Sequence, residues 1–203
     1  MADTKSGKKK LQRRDVVRAL LADRNDLLVV AGLGAPAWDI TAAGDHSLNF
    51  PLWGGMGGAV MIGLGLALAQ PKRKVLVITG DGEMLMGLGS LATVGAAQPR
   101  NLSIVVLDNE VYGETGQQKT HTAHGVDLAA TARACGFEAS TLVTEAPGIG
   151  ALHEAIHGGE GPFFAQVKVD AEQMPLVLPP RDGAHLKNRF REALLGESAH
   201  GAK

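Results

Sequence analysis

Apolar positions along this chain fall into short unbroken runs, separated by longer stretches with helical spacing. Leu11 to Ala22 places Val16, Val17, Leu20 and Leu21 on one face and predicts a helix. Leu27 to Ala31 is a continuous apolar run that stops at Gly32, as a buried strand does. A loop and a short helix follow through Ile40. Met56 to Gln70 reads as an apolar helix rich in small residues. Lys74 to Thr79 is a second strand, closed by Gly80-Asp81-Gly82, and a helix over Met84 to Ala97 stops before Pro99. Leu102 to Leu107 is a third strand, followed by a polar loop from Asp108 to Gly125. Helix Asp127 to Ala134, strand Ser140 to Val143, helix Ile149 to His157 and strand Phe163 to Val169 continue the alternation. A proline-containing tail, Met174 to Pro180, leads to an amphipathic helix over Gly183 to Leu195. Apolar strands alternating with helices predict the α/β class: a parallel sheet with helices on both faces.

Composition narrows the function classes. The 203 residues suit one domain, expected over residues 11–203. The cluster Lys5, Lys8, Lys9, Lys10, Arg13 and Arg14 predicts a solvated, disordered basic tail over residues 1–10. The formal net charge of -1 gives no global basic field, so no nucleic-acid partner is expected. The most apolar stretch, Gly54 to Ala69, is short for a membrane span and interrupted by glycines, so no membrane partner is expected either. The N-terminus lacks the apolar segment of a secretory signal, and Cys135 is the only cysteine. That excludes an intrachain disulfide or a cysteine metal cluster and fits a cytoplasmic protein. Glycine is enriched at 27 residues, placed beside apolar runs, as tight strand–helix turns and close ligand approach require.

In such sheets, ligands bind beyond the carboxyl ends of the strands. Three strand ends carry unusual sequence: Gly32-Leu33-Gly34, Gly80-Asp81-Gly82 and Asp108-Asn109-Glu110. If their strands are neighbours, these segments lie side by side. Flanking glycines at Gly80 and Gly82 let the backbone approach a phosphate, and a helix start favours that anion. Asp81 repels a bare phosphate, but a divalent cation between the two removes the conflict. Gly-Asp-Gly also makes ordinary turns, so this segment alone leaves both readings open. Asn109 adds a hard neutral oxygen at the end of the next strand. Gly32 to Ala37 matches the glycine pattern of dinucleotide-binding folds, yet Pro36 interrupts it and Phe50 and Pro51 stand where an acidic ribose ligand belongs.

Gly80-Asp81-Gly82 with Asp108-Asn109 resembles the diphosphate–magnesium motif of thiamine-diphosphate enzymes, with Asp108 in place of the first Asn of that motif. The resemblance implies the thiamine-diphosphate-binding fold in its diphosphate-type domain. It implies Asp81, Asn109 and the carbonyl of Val111 as ligands of Mg2+. Gly54-Gly55-Met56-Gly57 is similar to the segment in which a bulky residue wedges the cofactor into a V shape. Met56 and the carbonyl of Gly54 take those roles by resemblance, against core packing as the plain alternative for Met56. The remaining cofactor contacts expected are Gly32, Gly34, Gly80, Gly82, Glu83, Tyr112, Gly113 and Thr115. The stretch Asp108 to Gln118, with Leu85 to Thr93, resembles the β subunit of sulfopyruvate decarboxylase and the C-terminal half of phosphonopyruvate decarboxylase.

Family members activate the cofactor with a glutamate on a pyrimidine-binding domain, which a chain of this length has no room for. The resemblance thus implies a separate pyrimidine-binding (α) subunit, and self-association around a two-fold axis. The implied reaction is non-oxidative decarboxylation of a small 2-oxo acid. A carboligase or acyl-CoA lyase subunit of the same superfamily, and a non-catalytic cofactor-binding subunit, are the alternatives. His121 and His124 are candidates for the substrate anion or for proton transfer, with a solvated loop as the alternative. Glu114 reads as a surface carboxylate and Cys135 as a small buried residue.

Overall fold

A computed structural model describes residues 10–200. Of the expected solvated basic run, Lys5, Lys8 and Lys9 lie outside the described residues and Lys10 is exposed, but Arg13 is buried and Arg14 part-buried, because both guanidinium groups pair with the buried Asp39. The chain runs α1 (Arg13–Leu20), β1 (Leu28–Ala31), α2 (Ala35–Ala42), β2 (Asn49–Pro51), α3 (Ala59–Ala69), β3 (Val75–Gly80), α4 (Asp81–Met86) and α5 (Ser90–Ala97). It continues through β4 (Leu102–Asp108), β5 (Val111–Tyr112), β6 (Gln118–Lys119), α6 (Leu128–Ala134), β7 (Ala139–Val143), α7 (Pro147–Gly158), β8 (Phe163–Lys168) and α8 (Gly183–Leu195).

Six strands form one sheet in the order β2-β1-β3-β4-β8-β7, and every pairing in it is parallel. Alternation along each strand divides the core in two. Val29, Ala31, Leu76, Ile78, Val105 and Leu107 face the helices α1, α2 and α7. Leu28, Val30, Val75, Val77, Ile104 and Val106 face α3, α5, α6 and α8. Both faces are covered, so the strands read as continuous apolar runs, and the expected fold class is the observed one. The carboxyl ends of β1, β3 and β4 are adjacent, which brings the three unusual strand ends together.

Three expectations are corrected. Helix α3 begins at Ala59, and Met56 lies in the loop before it, where Gly55 and Gly57 have φ of 71° and 93°. These left-handed values stop the helix from extending back to Met56. The helix expected over Met84 to Ala97 is split at Gly87 into α4 and α5. A Cβ at Gly87 would sit 2.2 Å from the carbonyl oxygen of Gly57, so the loop carrying Met56 passes through the space a continuous helix would fill. The edge strand β2 was not anticipated; it is three residues long and contains Pro51, which an edge tolerates. Helix α8 closes over this edge, with Phe190 packed edge-on against Phe50 and Arg189 paired with Asp45 at 2.6 Å.

Candidate active site

A cavity of about 560 Å³ opens at the carboxyl ends of the central strands. Its walls include Gly80, Asp81, Gly82 and Glu83 from the β3–α4 turn, and Asn109, Val111, Tyr112, Gly113 and Thr115 from the loop after β4. Met56 enters from the loop before α3 and stays 39% exposed, so it is not a core residue of the isolated chain. Leu33, Ala35 and Pro36 line the cavity from the β1–α2 connection, whereas Gly32, Gly34 and Gly54 are not among its lining residues. Gly82 packs against the Tyr112 ring, which a Cβ there would approach to 2.6 Å.

Asp81 is buried; its Oδ2 accepts from Thr120 Oγ1 at 2.5 Å and lies 3.1 Å from Thr122 Oγ1, whose one proton it shares with Asp108. Burial pushes its carboxyl up to about 6 against those two hydroxyls, with the neighbouring Asp108 carboxylate adding to the rise. Asp108 is also fully buried. It accepts from Thr122 Oγ1 at 2.7 Å, Gln166 Nε2 at 2.6 Å and the Glu110 N–H at 3.1 Å, and pairs with Lys168 at 2.7 Å. Burial works against the charged Lys168 amine, but its bonds to Asp108 and Glu110 outweigh that and push it up. The aspartate at the first motif position is thus matched by a cation on β8. Gln166 in turn accepts from the N–H groups of Leu128 and Ala129 and fixes the start of α6.

Asn109 Oδ1 accepts the Val111 N–H at 3.1 Å, a turn that fixes the amide and leaves an oxygen lone pair free. The cavity's lining includes the carboxylate of Asp81 and the amide of Asn109, both hard oxygen donors. Asp108 is matched by Lys168, whereas the buried Asp81 carboxylate has only hydroxyls as hydrogen-bond partners among the described side chains; a divalent cation would match it, and the residues fit a magnesium–diphosphate group.

Glu83 also lines the cavity, but its carboxylate turns inward. Oε2 accepts from the Leu33 N–H at 3.0 Å and Thr79 Oγ1 at 2.9 Å, which ties the β1–α2 loop to β3. Burial pushes this carboxyl up, against those bonds. A Cβ at Gly32 would lie 1.8 Å from Oε2, so Gly32 makes room for the tie. Glu114 sits at the cavity wall against Gly34. His121 and His124 are exposed and do not line the cavity. Cys135 is half-buried at the end of α6, where its carbonyl meets Gly95 of α5.

Sequence reasoning gave no site role to Thr120, Thr122, Gln166, Lys168, Trp38 or the tail segment 171–176, and read Arg13 only as part of a solvated basic run. Gln166 had a readable signal, because it interrupts an apolar strand. The threonines had none, since their partner Asp81 is remote in sequence.

The fold and site together define an α/β chain built to hold a phosphorylated cofactor at the strand ends. Residues 34–167 match the family described as thiamine pyrophosphate enzyme, C-terminal TPP binding domain. Sulfopyruvate decarboxylase subunit beta of Methanocaldococcus jannaschii is 41% identical over 135 residues, covering 66% of this chain and 70% of that one. Its counterpart in Methanothermobacter thermautotrophicus is 36% identical over 186 residues, covering 92% of this chain and 97% of that one. The crystal structure of benzoylformate decarboxylase from Polynucleobacter necessarius shares the fold at a TM-score of 0.70 and 20% identity, over 82% of this chain and 34% of that one. The chain therefore belongs to the thiamine-diphosphate-dependent enzymes of the decarboxylase family, through their C-terminal cofactor-binding domain.

Proposed function

We propose that this chain is the diphosphate- and magnesium-binding subunit of a decarboxylase for sulfopyruvate- or phosphonopyruvate-like 2-oxo acids, and that it works with a separate pyrimidine-binding subunit. The observation that carries the reading is the meeting of Asp81, Asn109 and Met56 around one cavity at the ends of adjacent strands. Asp81, Asn109 and the carbonyl of Val111 would hold Mg2+ at the diphosphate end of the cofactor. Gly80, Gly82, Tyr112, Gly113 and Thr115 border the cofactor, with Gly32, Gly34 and Glu83 shaping the adjoining loop. Met56 supports the bent cofactor, and the carbonyl of Gly54 accepts from its aminopyrimidine. When bound, thiamine diphosphate supplies a cationic thiazolium that takes up the electron pair as carbon dioxide leaves. The chain's own part is to anchor, orient and shield: apolar Leu33, Pro36, Trp38 and Leu176 keep water from the reacting carbon.

Two features support the partner subunit. Among the described residues, the acidic side chains lining the cavity are Asp81, Glu83, Glu114 and Glu172, and we assign none of them the role of the activating glutamate. Asp81 and Glu83 are held by internal hydrogen bonds, and Glu114 and Glu172 are exposed at the rim. The outer surface near the Met56 loop exposes Met61, Ile62, Leu68 and Met86, an apolar area of the kind partners cover. The assembly is a hetero-oligomer with a two-fold axis in the cytoplasm. The test is to mix the chain with a similar-sized chain that carries the missing glutamate and to measure carbon dioxide release from sulfopyruvate, phosphonopyruvate and pyruvate. Activity is expected only in the mixture. Full activity from this chain alone, shown by mass spectrometry to be free of partner, would refute the two-subunit reading.

A further inference from the structure

One wall of the cavity has been given only a shielding role above. It consists of Pro36 and Trp38 of α2, the tail segment 171–176, and Arg13 at the start of α1. Among the described residues lining the cavity, Arg13 is the only basic side chain, and it is 7% exposed. Asp39 of α2, fully buried, receives Arg13 Nε at one oxygen. Its other oxygen receives Arg13 Nη2 at 3.4 Å and Arg14 Nε at 3.0 Å. Arg13 Nη1 reaches the carbonyl of Glu172 at 3.5 Å, and Arg14 Nη2 donates to the carbonyl of Pro175.

Two guanidinium groups therefore share one carboxylate, and carbonyls add no formal charge. An arginine does not shed its proton in a protein. The cluster keeps one net positive charge in a place nearly closed to water, where an unmatched charge is costly. Arg13 has unused N–H groups on Nη1 and Nη2, and it is the member of the pair that meets the cavity. Among the described residues, the buried cluster of Arg13, Arg14 and Asp39 thus carries one net positive charge, which Arg13 presents to the cavity.

We propose that Arg13 is a specificity-determining residue that binds a tetrahedral oxyanion, sulfonate or phosphonate, on carbon 3 of the 2-oxo acid. This inference rests on the decarboxylase reading for the reaction itself. The carboxylate that departs as carbon dioxide is a poor match for Arg13, because a cation holding it would stabilise the ground state more than the transition state. An anion on the next carbon keeps its charge throughout, and its binding energy serves to position the reacting carbon. Arg13 and Met56 line the same cavity, so a substrate bound beside the cofactor is within that shared space.

The test uses the chain assembled with its pyrimidine-binding partner and loaded with cofactor and magnesium. Specificity is read as the ratio of kcat/KM for sulfopyruvate, and separately for phosphonopyruvate, to that for pyruvate. Arg13→Gln is expected to lower at least one of these ratios about tenfold or more, the loss typical of a charged hydrogen bond, and the ratio that falls further identifies the oxyanion. Arg13→Lys keeps the charge but loses the fork, and is expected to give a smaller drop. If Arg13→Gln does not fold, Arg13→Lys decides. Equal losses on all three substrates, or unchanged ratios, overturn the proposal. In a second arm, calorimetry with the full chain compares 3-sulfopropionate, which has no ketone to react, with propionate. Preference for the sulfonate that Arg13→Gln abolishes supports the subsite; no preference overturns it. If the wild-type assembly decarboxylates none of the three substrates, the decarboxylase reading fails by itself, and the calorimetric arm alone decides the role of Arg13.

Discussion

Asp81 carries the largest electrostatic tension in the chain's proposed cofactor site. Its carboxyl is raised from 3.8 to about 6, burial being the main cause, so the folded metal-free chain holds this proton more tightly than the unfolded chain does. Stability from this group is present at low pH and is lost as pH rises from about 4 to 6. Asp81→Asn mimics the protonated form. In EDTA its Tm is expected to exceed that of wild type at pH 8, with the gap shrinking below pH 6; a gap that does not change with pH would remove Asp81 as its source. Met56 presents a different test. It is exposed in a loop fixed by left-handed glycines, so Met56→Ala costs little packing. The proposed wedge role predicts a fall in kcat of about tenfold or more in the assembled enzyme, since small misplacements of reacting groups are expensive. Cofactor affinity should change less. A loss of stability with normal turnover would return Met56 to ordinary packing.

The central strands β1, β3 and β4 were legible because burial on both faces makes them mostly apolar; β1 stops before Gly32, and β3 and β4 end at Gly80 and Asp108. The motif at Gly80-Asp81-Gly82 and Asp108-Asn109 was legible for the same reason: it punctuates those strands. The break between α4 and α5 was not, because its cause is a backbone carbonyl 30 positions earlier in sequence, at Gly57. Gly87→Ala is therefore predicted to destabilise the chain by about 1–3 kcal/mol, as overpacking does, and to weaken cofactor binding by shifting the Met56 loop. Urea unfolding and cofactor titration would show both effects, and a neutral result would mean the loop relaxes freely. The tail over residues 171–176 was opaque for another reason. It has no period of its own and is held in part by Arg13 and Arg14, whose side chains donate to its carbonyls. The hydroxyls of Thr120 and Thr122 were equally silent in sequence, since their meaning depends on Asp81 lying across the crevice.

At the scale of the molecule, the chain offers a grip for one end of a cofactor that needs two. Binding at an interface links cofactor affinity to assembly, because a ligand held only by the assembled state stabilises that state. Sedimentation of the chain with its partner should show a larger hetero-oligomer when thiamine diphosphate and Mg2+ are present than when they are withheld. No helix among the described residues is long and apolar enough to cross a membrane.

The central claim is that Asp81 and Asn109 hold the diphosphate end through magnesium. Its most direct test is calorimetric titration of the purified chain with thiamine diphosphate in Mg2+, in EDTA, and with thiamine lacking the diphosphate, for wild type and Asp81→Ala. The account predicts weak but measurable binding only for wild type with thiamine diphosphate and Mg2+, while circular dichroism shows the variant folded. Equal affinity in the folded Asp81→Ala variant, or binding that EDTA leaves intact, would contradict it.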